Sequence, residues 1–212
     1  MYFKVLFMDK QKYLDDIRDI KEIMERSSRF ISLSGMSGIM AGIVALIAAY
    51  LAYKTVYTHQ DYLDYRMAIL NSETIMILLI IAFMTLILSI GAGIFFTSRK
   101  ARKQNHKLWD RQTKRLLVNL SIPLCTGGIL CLMLLFKGYI GLVAPLTLVF
   151  YGLALVNASK YTLSEIRSLG IIEILLGLLA FHFIGFGLIF WSIGFGILHI
   201  IYGIVMQRRY GS

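Results

Sequence analysis

The chain has 212 residues, 58% of them apolar and only 16% charged, with a mean hydropathy of +0.70 and a formal net charge of +10. A soluble domain is roughly 45–50% apolar and about 25% charged, so a water-soluble enzyme or nucleic-acid-binding domain is excluded and an all-α polytopic membrane protein is expected. The basic excess is then a topology signal, and nucleic acid is not an expected partner.

Residues 1–29 carry seven Lys/Arg and six Asp/Glu, with Leu14, Ile17, Ile20 and Met24 at helical spacing. That pattern predicts an amphipathic helix lying on the membrane or capping the bundle. No cleavable signal peptide is expected, because the charged start lacks a short apolar core with a small-residue cleavage site. A six-helix transmembrane domain is expected over 30–207.

Its first span, about 30–53, opens on SLSGMSGIMAG. Gly38 and Gly42 form a GxxxG that Ala45 and Ala49 extend, a face built to pack on another helix or on its copy in a homodimer. A polar loop follows, then a plain apolar second span over 74–96. The segment between the second and third spans holds eight Lys/Arg against one Asp, and residues 99–115 are expected to meet anionic lipid head groups.

The third span, 116–136, carries Pro123. Proline removes a backbone donor, which frees the carbonyl four residues earlier, that of Asn119. Cys125 and Cys131, six apart in one helix, cannot bridge and match no zinc spacing; they read as small buried hydrophobes. Lys137-Gly138 is a tight turn. The fourth span, 139–157, ends at Asn157. Asn119, Asn157 and Glu173 are candidates for a ligand or ion pathway.

From Leu169 to Met206 the chain carries no acidic or basic side chain but Glu173 and two histidines, too long for one span of about 20 residues. Thr162-Leu163-Ser164-Glu165 fits a capping box that would start a helix at Leu163. Two antiparallel spans are expected, 163–187 and 191–207, with the turn near Gly187 to Ser192. That turn puts His182 and His199 at one depth, about 13 Å from it. They are expected to face each other, with Tyr202 nearby. The first reading of the pair is an interhelical hydrogen bond; a metal or proton-transfer site and a haem are the alternatives. Glu173 lies nine residues before His182, hence on the opposite face, where it either snorkels to the inner edge or anchors a buried network. Gly196 and Gly203 offer a second small face for packing.

With the start of the chain inside, only Lys54, Arg66 and Lys137 of the 22 basic residues fall outside. Six spans with both termini cytoplasmic follow from that asymmetry. No HExxH, intramembrane aspartate pair, P-loop or intramembrane lysine is present, and no cofactor is assigned. Gly35-Met36-Ser37-Gly38 and His199 match the rhomboid Ser–His pattern poorly, because the serine motif sits in the wrong span.

The stretches MERSSRFISLSGMSGIMAG, YTLSEIRSLGIIEILLGLLA and FGILHIIYG resemble a group of uncharacterised bacterial integral membrane proteins of about this size. That resemblance implies a six-span protein of the bacterial inner membrane and brings no established activity. The first function expected is a non-enzymatic membrane module that binds a ligand, lipid or partner through its charged N-terminal helix and basic loop; a small transporter or channel and a histidine-based membrane enzyme are the alternatives.

Overall fold

The computed structural model describes residues 16–17, 34–57, 71–103 and 109–210, and among them every regular element is helical. The elements are α1 (Gly35–Tyr57), α2 (Ser72–Lys103), α3 (Arg111–Phe136), α4 (Val143–Ala158) and α5 (Ser164–His182). After α5 come α6 (Gly187–Trp191), a π-helical segment (Ser192–Leu198) and α7 (His199–Tyr210), which follow one another without a break. Except for residues 16–17, which are helical and exposed, the amphipathic helix expected over 1–29 lies outside the described residues, as does most of the loop after the first span.

Five segments are long and apolar enough to cross a membrane: Gly35–Val56, Ser72–Lys103, Arg111–Phe136, Ile140–Tyr161 and Ile184–Tyr210. The exception is α5. Its 19 residues are about 28 Å long, close to a hydrocarbon core of about 30 Å, but they include Glu165, Arg167 and Glu173.

Local chemistry explains the breaks. Asp110 caps α3, its carboxylate accepting from the Thr113 amide and hydroxyl, each at 2.7 Å. Gly138, at φ +84°, ends α3; its amide donates to the Leu135 carbonyl at 3.0 Å and the Tyr139 amide to Leu134 at 2.9 Å. This is the double bond of a Schellman ending, which favours glycine at the left-handed position.

The hairpin departs from expectation at both ends. Helix α5 starts at Ser164, one residue after the expected start, with an extended Leu163 before it. Glu165 accepts from Arg209 Nη1 at 2.6 Å, Tyr210 Oη at 2.8 Å and Ser164 Oγ at 3.2 Å. The turn falls at Phe183 to Phe186, not at Gly187 to Ser192.

Gly187, expected in that turn, instead lies against Ala144 of α4. α1 runs antiparallel to α7: Gly38 lies against Gly203, and a methyl on Gly42 would sit 2.6 Å from the Gly196 carbonyl oxygen. The GxxxG face is therefore occupied within the chain. α4 and α5 meet the same way, a methyl on Gly152 falling 2.5 Å from the Gly170 carbonyl. These contacts bring Gly35, Leu116, Ala158, Glu165 and Arg209 to one end of the bundle. The helix α2 is different. It packs on α1, its most apolar stretch is unburied throughout, and a methyl at Gly91 would meet nothing within 4 Å.

Gly42→Leu should therefore overpack the α1–α7 contact and cost about 1–3 kcal/mol or more. A detergent melt should show a clear loss for Gly42→Leu and none for Gly91→Leu; equal losses would mean that close approach is not the constraint.

Candidate functional site

The packing of α4, α5 and the π-helical segment encloses three polar side chains. Tyr151 comes from α4, Glu173 from α5 and His199 from the start of α7. Glu173 is 0% exposed and His199 8%. Tyr151 Oη lies 2.7 Å from His199 Nε2. The other ring nitrogen, Nδ1, lies 2.9 Å from the Gly194 carbonyl oxygen and 3.5 Å from Glu173 Oε1. Phe195 stacks on the imidazole and tilts against Tyr151, closing an aromatic wall.

The proton positions follow from these partners. A carbonyl oxygen only accepts, so Nδ1 carries a hydrogen and donates to Gly194. In the neutral imidazole Nε2 must then accept, and Tyr151 donates its hydroxyl hydrogen to it. Both His199 nitrogens are satisfied. Glu173 is not: neither carboxyl oxygen has a hydrogen-bond partner. At 3.5 Å, Nδ1 stands beyond the 2.7–2.9 Å usual for a charge-assisted bond (about that range in most structures).

Gly194 makes this proximity possible. A methyl there would collide with Glu173 Oε2 and would lie 2.6 Å from Leu148 Cδ2. The π-helical segment sets His199 five residues past the carbonyl it bonds. Single π turns are rare and occur often at functional sites.

The other sequence candidates are placed elsewhere. His182 ends α5, is exposed, and meets Phe183 edge-on at 4.8 Å. It does not face His199, because the turn comes at Phe183 and leaves His182 at the helix end rather than at mid-depth. The shared-metal and haem readings of that pair end there. Among the described residues no cluster of three or more His, Cys, Asp or Glu has metal-binding geometry. Glu173 does not snorkel, since no part of it is exposed. Tyr202 is half-buried against Leu155, Leu163, Ile166, Leu169 and Met206. The Asn119 carbonyl that Pro123 frees accepts from Asn157 Nδ2 at 2.9 Å, while the Asn119 amide donates back to the Arg115 carbonyl at 2.8 Å. The two asparagines thus form a satisfied tie between α3 and α4. Cys125 is exposed and Cys131 buried.

Tyr151 escaped the sequence reading. Its signal was a phenol in the apolar run LVFYGLA, where the hydroxyl needs a partner.

Tyr151→Phe should leave His199 Nε2 buried without a donor and cost about 1–3 kcal/mol. His182→Ala, at an exposed helix end, should stay within about 0.5 kcal/mol of the parent. Thermal melts of the two variants read the difference, and a larger loss for His182→Ala would contradict this geometry.

In comparisons with protein-family models, curated proteins and solved structures nothing matches the chain, so the function rests on this geometry.

Proposed function

We propose that the chain is a six-span protein of the bacterial inner membrane with both termini cytoplasmic. In this reading it is a non-enzymatic module that binds a small ligand at Glu173. One observation carries it: a carboxyl group that is 0% exposed and has no hydrogen-bond partner on either oxygen. Ionisable groups at membrane depth are costly and mark ligand or proton pathways. Bonding would explain a structural role, and Glu173 has no bond to lose.

The orientation is supported by the charge asymmetry. Arg115, Lys160, Arg167, Arg208 and Arg209 lie at or beside the end of the bundle where Leu116, Ala158, Glu165 and Arg209 meet. Basic residues favour the cytoplasmic side. The sixth span is α5, whose length suits a bilayer even though its charges exceed those of the other five. The resemblance to uncharacterised six-span bacterial membrane proteins points the same way. The basic segment over 99–115 would lie on anionic lipid head groups. A homodimer would have to use a surface other than the Gly38/Gly42 face, which Gly196 and Gly203 fill.

A transporter is the second reading, favoured by the carboxyl–imidazole–phenol series inside the bundle. The route first expected, with Asn119 on its wall, has less support, because Asn119 and Asn157 are engaged with each other.

If Glu173 serves binding, Glu173→Gln should melt at the same temperature as the parent or higher, as functional polar groups are held at a cost in stability. A loss of several degrees would make Glu173 the anchor of a structural network and defeat the proposal. Topology is tested separately, with a membrane-impermeant thiol reagent on cells carrying single cysteines at Lys137 or Arg209 in a background lacking Cys125 and Cys131. Labelling from outside is expected at Lys137 only.

A further inference from the structure

The charge balance at Glu173 narrows the ligand, on the basis of the binding role just proposed. The groups that face it are few. α4 contributes the Tyr151 hydroxyl and α7 the His199 imidazole. The segment between, SIGFGIL, contributes the Gly194 carbonyl and an apolar lining. No lysine or arginine lies within ion-pair distance of Glu173 among the described residues. A carboxylate here beside a neutral imidazole would be an uncompensated charge in a sealed apolar site, which is strongly unfavourable. The pair is therefore neutral only while it holds one proton beyond the hydrogen on Nδ1.

We propose that the small ligand of this site is the proton itself, held jointly by Glu173 and His199 and exchangeable with the aqueous phase. Space favours it over a larger guest. Glu173 Oε2 fills the space that a methyl on Gly194 would need, and Leu148, itself 0% exposed, lies against the same spot. A proton needs no cavity.

Two forms hold the extra proton, and the surroundings fit both. In one, Glu173 is a neutral carboxylic acid and His199 a neutral imidazole whose Nε2 accepts from Tyr151. In the other, Glu173 has lost its proton and Nε2 holds one. Nδ1, not Nε2, faces Glu173, so the forms interconvert by release at one group and uptake at the other. The carboxylate then faces an imidazolium, and Nε2–H donates to the Tyr151 oxygen. The Gly194 carbonyl accepts from Nδ1–H in both. A hydroxyl can turn from donor to acceptor, so Tyr151 follows the proton without moving its ring. The count of protons and the net charge are the same in the two forms. Release to water leaves a carboxylate and a neutral imidazole, a net charge of −1, which draws in the next proton.

The test is infrared difference spectroscopy of the full chain in lipid nanodiscs, titrated from mildly acidic to mildly alkaline pH. The expected result is a protonated-carboxyl C=O band that moves down in D2O, fades as pH rises and is missing in Glu173→Gln. Tyr151→Phe provides a directional second readout that also serves if Glu173→Gln does not fold. Without the hydroxyl, the imidazolium loses its acceptor, so the carboxyl band should grow and persist to higher pH. A merely structural tyrosine would leave the band where it was. Absence of the band, or a band that does not change across the pH range, would overturn the proposal. If Glu173→Gln still melts as the parent does, that result leaves Glu173 as a binding site for another ligand; if it melts far lower, the binding role fails as well.

Discussion

A carboxyl group without a partner, sealed among apolar helices, is the constraint around which this bundle is arranged. Glu173 can be enclosed only if the helices around it come close enough to exclude lipid and water. Glycine supplies that closeness. At Gly152 and Gly170 the backbone of one helix comes up against that of the next, and at Gly194 the missing side chain leaves room for Glu173 and Leu148. In a bilayer there is no hydrophobic force pressing helices together, so such van der Waals approach is a principal source of association. The glycines hold the bundle and the same contacts seal the acid.

The polar groups of the protein interior fall into two kinds. Asn157 donates to the carbonyl that Pro123 frees at Asn119, and Glu165 at the polar end accepts from three donors. These are satisfied groups that tie one helix to another. Tyr151 and His199 are also satisfied, but they surround a group that is not. Around them lies a shell turned to lipid, most of all α2, which packs on α1 and leaves many of its large apolar side chains exposed.

Much of this was legible in the sequence wherever the signal was local. The apolar runs located five helical segments long and apolar enough to cross a membrane. Gly138 marked its turn, because only a left-handed residue completes that helix ending. Pro123 marked a free carbonyl at Asn119, and the structure supplies the donor. The GxxxG at Gly38 and Gly42 found a helix to pack on. What failed was non-local. Gly187 suggested a turn because glycine permits one, yet it lies against Ala144 of α4. That single misplacement paired His199 with His182, when its partners are Tyr151, 48 residues away in sequence, and Glu173. The π-helical segment adds to the difficulty: an i to i+5 turn shifts the facing of everything after it, and no 3.6-residue periodicity foresees it.

The contrast between satisfied and unsatisfied groups bears on why Glu173 is there. A buried ion pair is generally no more stable than apolar residues of the same volume. A leucine or methionine at this position would remove the unbonded oxygens and keep the packing against Leu148. Stability therefore gives no reason for a carboxyl, and neither does helix pairing, which Gly152 and Gly170 already secure. A carboxylic acid differs from an isosteric amide in one chemical respect that matters in a dry interior: it can give up a proton and take it back. The imidazole beside it, fixed by one carbonyl and one hydroxyl that can either give or accept, is the kind of neighbour that makes such an exchange possible without building up charge.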